Sequence, residues 1–409
     1  MKRQTIRKPK EPLTRAVVIR RVVIAVLVAV FCVFVALIND VDKVVMNSRE
    51  GQTFERGTVT QVLRDNLQED GTRVGDQTVM ILMKTGVRKG EEIMATSSNG
   101  YLFGAACEPG TNVVVMQSIA GEDTVASVYA PDREIPIYIF ALVFIALLCL
   151  IGGKQGAKGA VGIVFSFFCI IFVYLPLVYR GLSPFWLAVF VCALTTVVTM
   201  YLIGGPTKKT AVAIGGTIAG VVVSGIAATI FGVAAGISGY NVEDIETLLT
   251  IENAANVQVS GLLFAGLLIS SLGAVMDVAM SIASAVNELY EHNPQISNKE
   301  LFKAGIHVGR DMMGTDSNTL ILAFAGTSLS TLVLDYAYNM PYRQIINSGS
   351  IGIEIMQGLC GSFGIILSVP ITVALAVLLL TRHGKRAAAL PAQAPETAPE
   401  SADVPKPEA

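Results

Sequence analysis

Apolar residues fill positions 22–38, 135–151, 161–178, 185–203, 211–235, 257–286, 320–334 and 351–380, and most of the gaps between these runs are short and hydrophilic. Runs of this kind are comparable with the roughly 17–25 residues a helix needs to cross a hydrocarbon core of about 30 Å. The pattern therefore predicts eight transmembrane helices. One gap breaks it: residues 39–134 are hydrophilic, with short β-branched runs at 58–63, 78–84, 92–96, 112–118 and 124–129. Gly71, Gly86, Gly90, Gly100, Pro109-Gly110 and Gly121 punctuate these runs, which is how short antiparallel strands are spaced. The fold class expected is an all-α polytopic membrane protein with a small all-β domain, an OB-like barrel or a sandwich, inserted after the first helix.

Composition agrees with that pattern. The chain is 52% hydrophobic and 15% charged, with a mean hydropathy of +0.59, against about 25% charged residues in soluble domains. A formal net charge of -2 lacks the basic stripe that phosphate backbones require, so nucleic acid is not an expected partner. Five of the six cysteines fall in apolar runs, and only Cys107 lies in the hydrophilic insert, so no disulfide framework is laid out. His292, His307 and His383 have no ligand-spaced companions, and neither a metal nor a cofactor is expected. Gly152-Gly153-Lys154-Gln155-Gly156 lacks the spacing of a phosphate-cradling loop.

Charge also sorts the connections. Residues 1–21 form a basic lead, and Lys154, Lys158, Lys208, Lys209, Lys299, Lys303, Arg310, Arg382, Lys385 and Arg386 fall on the same side if each run crosses once. The opposite side collects Arg180, Glu243, Asp244, Glu246, Glu252, Asp335 and Arg343. The positive-inside rule then puts both termini in the cytoplasm and residues 39–134 outside it. Residues 22–38 read as a retained anchor, since 38–42 offer no small-residue cleavage site. The organisation is thus a lead (1–21), helix 1 (22–38), an extracytoplasmic β domain (39–134), a seven-helix membrane domain (135–382) and a disordered Ala/Pro/Glu-rich tail (383–409).

The candidate chemistry lies in the sixth and seventh runs. Ser270, Asp277, Ser281, Ser284 and Glu288 recur in steps of mostly three and four, which aligns them on one helical face. An aspartate at mid-membrane costs on the order of 3 kcal/mol to insert, so it marks function by default. In the next run Asp311, Thr315 and Asn318 repeat the spacing, with Asp316, Ser317 and Thr319 beside them behind Gly314. That crowding predicts a frayed helix start lining a cavity, the only place where irregular backbone is tolerated at membrane depth. Glu354 and Gln357 stand near the outer end of the last run, and Pro370 is expected to kink it. Ser297-Asn298-Lys299-Glu300 reads as a capping box that starts an amphipathic helix through Leu301, Ala304, Val308 and Met312. Gly216, Gly220, Ser224, Ala228, Gly232 and Gly236 recur every fourth position, a strip for close helix packing.

The stretches GAVMDVAMSIASAVNEL, SNKELFKAGIHVGRDMMGTDSNTLILAFAG and GSFGIILSVPIT resemble the YibE/F-like family of bacterial multi-pass membrane proteins, across about 135–382. The resemblance implies the bacterial cytoplasmic membrane and a transport or permease role. Asp316 stands where that family's pattern has an apolar residue, which shifts weight toward Asp277 and Asp311.

Three functions remain open. A secondary transporter or export permease would use Asp277, Ser281 and Ser284 against Asp311, Thr315, Asp316, Ser317 and Asn318 to bind a proton, ion or small solute, with Glu354 as a second proton station. Helix-start amides at 314–318 would receive an anionic group. A scaffold would instead present the β domain to a protein partner from a lipid-embedded mount. An intramembrane aspartyl protease would pair Asp277 with Asp316, but Met312-Met313-Gly314-Thr315-Asp316 lacks the Gly-x-Gly-Asp pattern and no Pro-Ala-Leu motif follows. No catalytic residue is therefore assigned.

Overall fold

The computed structural model describes residues 15–41, 51–69, 73–98, 104–120, 123–240, 242, 245–255 and 257–387. The lead up to residue 14, the tail beyond 387, and Gly71, Gly100, Gly121, Glu243 and Asp244 lie outside them. Two compact units form: Lys43–Ala160, and Met1–Asp42 together with Val161–Ala409.

The first unit holds a closed barrel of β1 (Gln52–Arg64), β2 (Gln77–Met83), β3 (Glu92–Ser97), β4 (Asn112–Ala120) and β5 (Asp123–Pro131) in the order β1-β2-β3-β5-β4. Of the two expected β architectures it is the barrel that forms. All ladders are antiparallel except the β3–β5 bridge, and β1 closes the sheet because it pairs with both β2 and β4. The long β1 manages this with register shifts between Val59 and Gln61 and between Val62 and Arg64, the local irregularities that let a strand coil around a small barrel. At Gly57 the closure is so tight that any Cβ would strike the Ile81 side chain. Alternation puts Val59, Val79, Ile81, Met83, Ala95, Val113, Val115 and Val128 inside.

Two buried polar side chains in this interior, Gln77 and Ser97, are paired with backbone, while the Nε2 of buried Gln117 on β4 has no hydrogen-bond partner. Gln77 donates from Nε2 to the Cys107 carbonyl (3.2 Å) and accepts from the Cys107 amide at Oε1 (2.8 Å). Ser97 Oγ donates to the Ala105 carbonyl and accepts from the Ala105 amide (2.7 and 3.0 Å). These brackets fix the irregular segment 105–108 without a strand. Burial pushes the Cys107 thiol up, which leaves it as a packing group and not a nucleophile. At the rim Arg56 holds Asp132 at 2.7 Å.

The chain leaves the barrel through α2 (Glu134–Cys169), whose one non-helical residue is Gly153 (φ 53°, ψ -131°). A Cβ on Gly156 would collide with the Leu148 carbonyl, eight residues back. In a continuous helix those residues would be about 12 Å apart along the axis, so Gly153 makes a sharp turn between two rods. A π-turn (Ile170–Tyr174) and α3 (Leu175–Tyr179) extend the helical segment.

In the second unit α1 (Arg15–Asn39) is held at its C-terminal end by two side chains. Arg180 donates to the carbonyls of Leu37 and Asp40 (2.8 Å each), and Asn39 donates to the carbonyl of Phe172 (2.8 Å). The two Arg180 bonds satisfy carbonyls at the end of the helix with a cation, as the helix dipole favours. The bundle continues with α4 (Pro184–Gly204), α5 (Lys208–Ala235), α6 (Ile245–Ala255), α7 (Leu262–His292), α8 (Asn298–Thr327), α9 (Leu329–Ala337), α10 (Tyr342–Ile346) and α11 (Gly349–Ala387). The expected small-residue strip packs as predicted: Thr372 sits over Gly216, and Gly220 lies against Val275, Ser368 and the Gly364 carbonyl. Ser224 sits over Gly364 in return. Threonines inside the helices donate back to their own turn, as Thr196 does to Cys192 (2.6 Å) and Thr217 to Ala213 (2.8 Å), so their hydroxyls cost little in an apolar setting.

Among the described residues, five helical segments are long and apolar enough to cross a membrane, and six if the bent pair α8–α9 counts as one. The 46-residue segment Glu134–Tyr179 counts once in that tally, and the apolar part of α1, Ala25–Asn39, falls short of it. The run 383–387, expected as tail, continues α11, which also passes through Pro370 as one helix.

Candidate functional site

The capping box forms: Ser297 accepts from the Glu300 amide and Glu300 reaches back to the Ser297 amide. Donation from the Ser297 hydroxyl (2.8 Å), and then from its amide, holds the Glu300 carboxyl below the usual range. From this start α8 runs unbroken for 30 residues. The expectation of a frayed start at Gly314–Thr319 is therefore corrected. Backbone amides there are spent within the helix and are not free to receive an anion. Thr315 and Thr319 donate to carbonyls four residues back (3.4 and 3.0 Å), so the polar crowd is absorbed by its own helix. The break comes later, at Ser328, where α8 and α9 meet at 60°.

The face that α8 packs also differs from the expected Leu301, Ala304, Val308, Met312 stripe. Leu301, Gly305, Gly309 and Leu320 are the buried positions. Gly305 lies against Val286 of α7 and Val373 of α11, Gly309 against Ile282 and Val369, and Leu320 against Gly361. Glycine at two of four contact positions lets α8 settle into the groove between α7 and α11.

Asp316 is four residues before Leu320 and seven after Gly309, which places it on that packed stripe. Asp311, Thr315 and Asn318 stand on the exposed side of α8. Across on α7, Ser270, Asp277 and Glu288 are exposed and Ser281 and Ser284 half-buried, so the polar stripe is open along the chain surface and not sealed between helices. The structure brings Asp277 within electrostatic range of Asp316. It is Asp316, the departure from the family pattern, and not Asp311, that joins Asp277. Neither acid has an ion pair among the described residues. Ser317 is half-buried, and its Oγ has no hydrogen-bond partner.

Glu354 belongs elsewhere. It lines a cleft of 240 Å³ at the α8–α9 break with Ile321, Phe324, Ser328, Leu332 and Leu359. Ser328 is a residue that sequence reasoning missed; Gly326-Thr327-Ser328 was the available signal, because small polar clusters are where helices bend.

Several helices long and apolar enough to cross a membrane mark a membrane protein. The family model described as YibE/F-like protein matches residues 140–382, more than half of the chain, and the chain belongs to that family. No curated protein and no solved structure matches it.

Proposed function

We propose that the chain is a secondary transporter or export permease in which Asp277 and Asp316, with Ser281 and Ser284, bind the coupling proton or a monovalent cation. The observation that carries this reading is two carboxyl groups on successive apolar helices, in mutual electrostatic range, with no cation paired to either. A proton or cation bound between two such groups relieves their repulsion. The open α7 stripe supplies the approach. Asp311, Thr315 and Asn318 extend the polar surface on α8 and serve as approach, not as ligands.

Eight crossings fit this reading. The segment Glu134–Tyr179 is about 69 Å long at 1.5 Å per residue, two bilayer widths, and it turns at Gly153. The basic connections then lie in the cytoplasm with both termini, and the barrel outside, where it can meet a protein partner.

The test is ion movement in sealed vesicles holding the purified full chain. An imposed proton or sodium gradient should drive flux that Asp277→Asn or Asp316→Asn lowers at least tenfold. No movement under either gradient would favour the scaffold. The closeness of the two aspartates also favours a second reading, the intramembrane protease; cleavage of a membrane substrate that survives both substitutions removes it.

A further inference from the structure

The cleft at the α8–α9 break is apart from the Asp277–Asp316 pair and poses its own question. Its walls are apolar except for Ser328 and Glu354. Ser328 Oγ and Glu354 Oε2 are each buried with no hydrogen-bond partner. Several hydroxyls of the bundle find the carbonyl three or four residues back, as those of Thr319, Ser362 and Ser368 do. At the break Ser328 does not. A buried polar atom left without a partner calls for one, and here two such atoms belong to residues that line one cleft.

What would complete them is set by chemistry. A carboxyl group excludes an anion and gains most from a cationic donor, because charge-assisted bonds are roughly twice as strong as neutral ones. Ile321, Phe324, Leu332 and Leu359 give the rest of the ligand an apolar bed. The cleft's surroundings indicate how such a molecule arrives. α9 exposes Leu329, Val333, Leu334 and Tyr336, and Tyr338 and Tyr342 follow, all more than half exposed. Aliphatic residues ending in tyrosines are the pattern of a segment at the membrane–water boundary, where amphiphiles collect. Glu354 is about 8 Å along α11 from Gly349, the depth of an amphiphile's polar head just under that boundary.

We propose that this cleft binds a hydrophobic ammonium compound, its head on Glu354 and Ser328 and its chain along Ile321, Phe324 and Leu332. The site is independent of ion coupling at Asp277, so the two readings fail separately.

The test uses the full chain in nanodiscs of phosphatidylcholine and phosphatidylglycerol, photolabelled with a diazirine-bearing dodecylamine and mapped by peptide mass spectrometry. Labelling should concentrate in 321–332 and 351–359. Glu354→Gln should lower it about tenfold and Ser328→Ala about threefold, with the size-exclusion profile retained. On the unaltered chain, unlabelled dodecylamine should compete and dodecyl sulfate should not, which keeps the test decisive if Glu354→Gln folds poorly. Equal labelling by the matching dodecanol probe, or labelling unchanged by Glu354→Gln in folded protein, would overturn the proposal. So would loss of the label when phosphatidylethanolamine replaces phosphatidylglycerol, since the occupant would then be a lipid. Loss of ion flux with labelling intact would count against the coupling pair alone.

Discussion

The barrel and the helical bundle differ in how they handle most of their buried polarity. In the barrel, Gln77 and Ser97 are fully buried and both bond the backbone of 105–108, and only Gln117 Nε2 is left buried without a partner among the described residues. In the bundle, Thr199, Ser224, Thr372, Ser317, Ser328 and Glu354 each keep a buried oxygen without a partner. The barrel is short of regular backbone pairing and uses side chains to supply it. The bundle has its backbone satisfied by helix geometry, so its polar side chains are free for packing over glycine or for a ligand. An unpartnered oxygen over a glycine, such as Thr372 on Gly216, reads as packing; one on a residue that lines a cleft, such as Glu354, reads as part of a site.

The largest effect that would sharpen this contrast is in the bundle. Gly220→Leu drives a side chain into Val275, Ser368 and the Gly364 carbonyl, an overpacking cost of about 3 kcal/mol or more. Monodisperse protein should be lost on size exclusion in detergent. Gly266→Leu, on an open face of α7, should elute as the unaltered chain does; equal behaviour of the two would deny that the glycine strip sets the packing.

Next comes the barrel. Gln77→Ala orphans both backbone groups of Cys107, at about 1–3 kcal/mol for each unsatisfied group. Native-state hydrogen exchange on the full chain should show the Cys107 amide and its neighbours losing protection, with the bundle unchanged. If that amide stays protected, the barrel does not depend on its side-chain brackets.

Smaller still is the start of α8. Ser297→Ala removes one half of the capping box, at about 1 kcal/mol, and faster exchange should be confined to the first turn after Asn298. The smallest effect is a pH dependence in the barrel. Hydrogen bonding from Gln77 foremost, then the Asn66 amide and Arg73, holds the Asp65 carboxyl below its ordinary value of 3.8 against a partial opposing effect of burial. A carboxyl depressed by folding stabilises the fold above its unfolded value, and that contribution is lost as the pH falls through the depressed one. Barrel exchange should therefore quicken below about pH 3.8, and Asp65→Asn should flatten the response.

Much of the architecture was legible because it rests on period. The β-branched runs at 78–84, 92–96 and 112–118 fall on β2, β3 and β4 almost residue for residue, and the small-residue strip names the contacts of α5. Where the reading of the site failed, it failed for one physical reason: polar residues in a row look like a broken helix. Thr315 and Thr319 instead bond to their own helix, and the break falls at Ser328, where only a small cluster marks it. Asp316 was discounted because it departs from a pattern, yet its position relative to Gly309 and Leu320 already put it on the packed stripe. Nothing in the sequence alone gave Gly305 and Gly309 as the contact surface of α8, because that depends on Val373 and Val369, 68 and 60 residues later.

The clasp on α1 has a consequence for how the chain is made. Arg180 lies 143 residues after Leu37, so at about 5–20 residues per second the end of the first helix waits roughly 7–29 seconds for the guanidinium that closes it. Synthesis of the whole barrel falls inside that wait. Ribosome pausing between residues 131 and 180 would lengthen it, and slower translation there should raise turnover of the nascent chain before the later helices can rescue it.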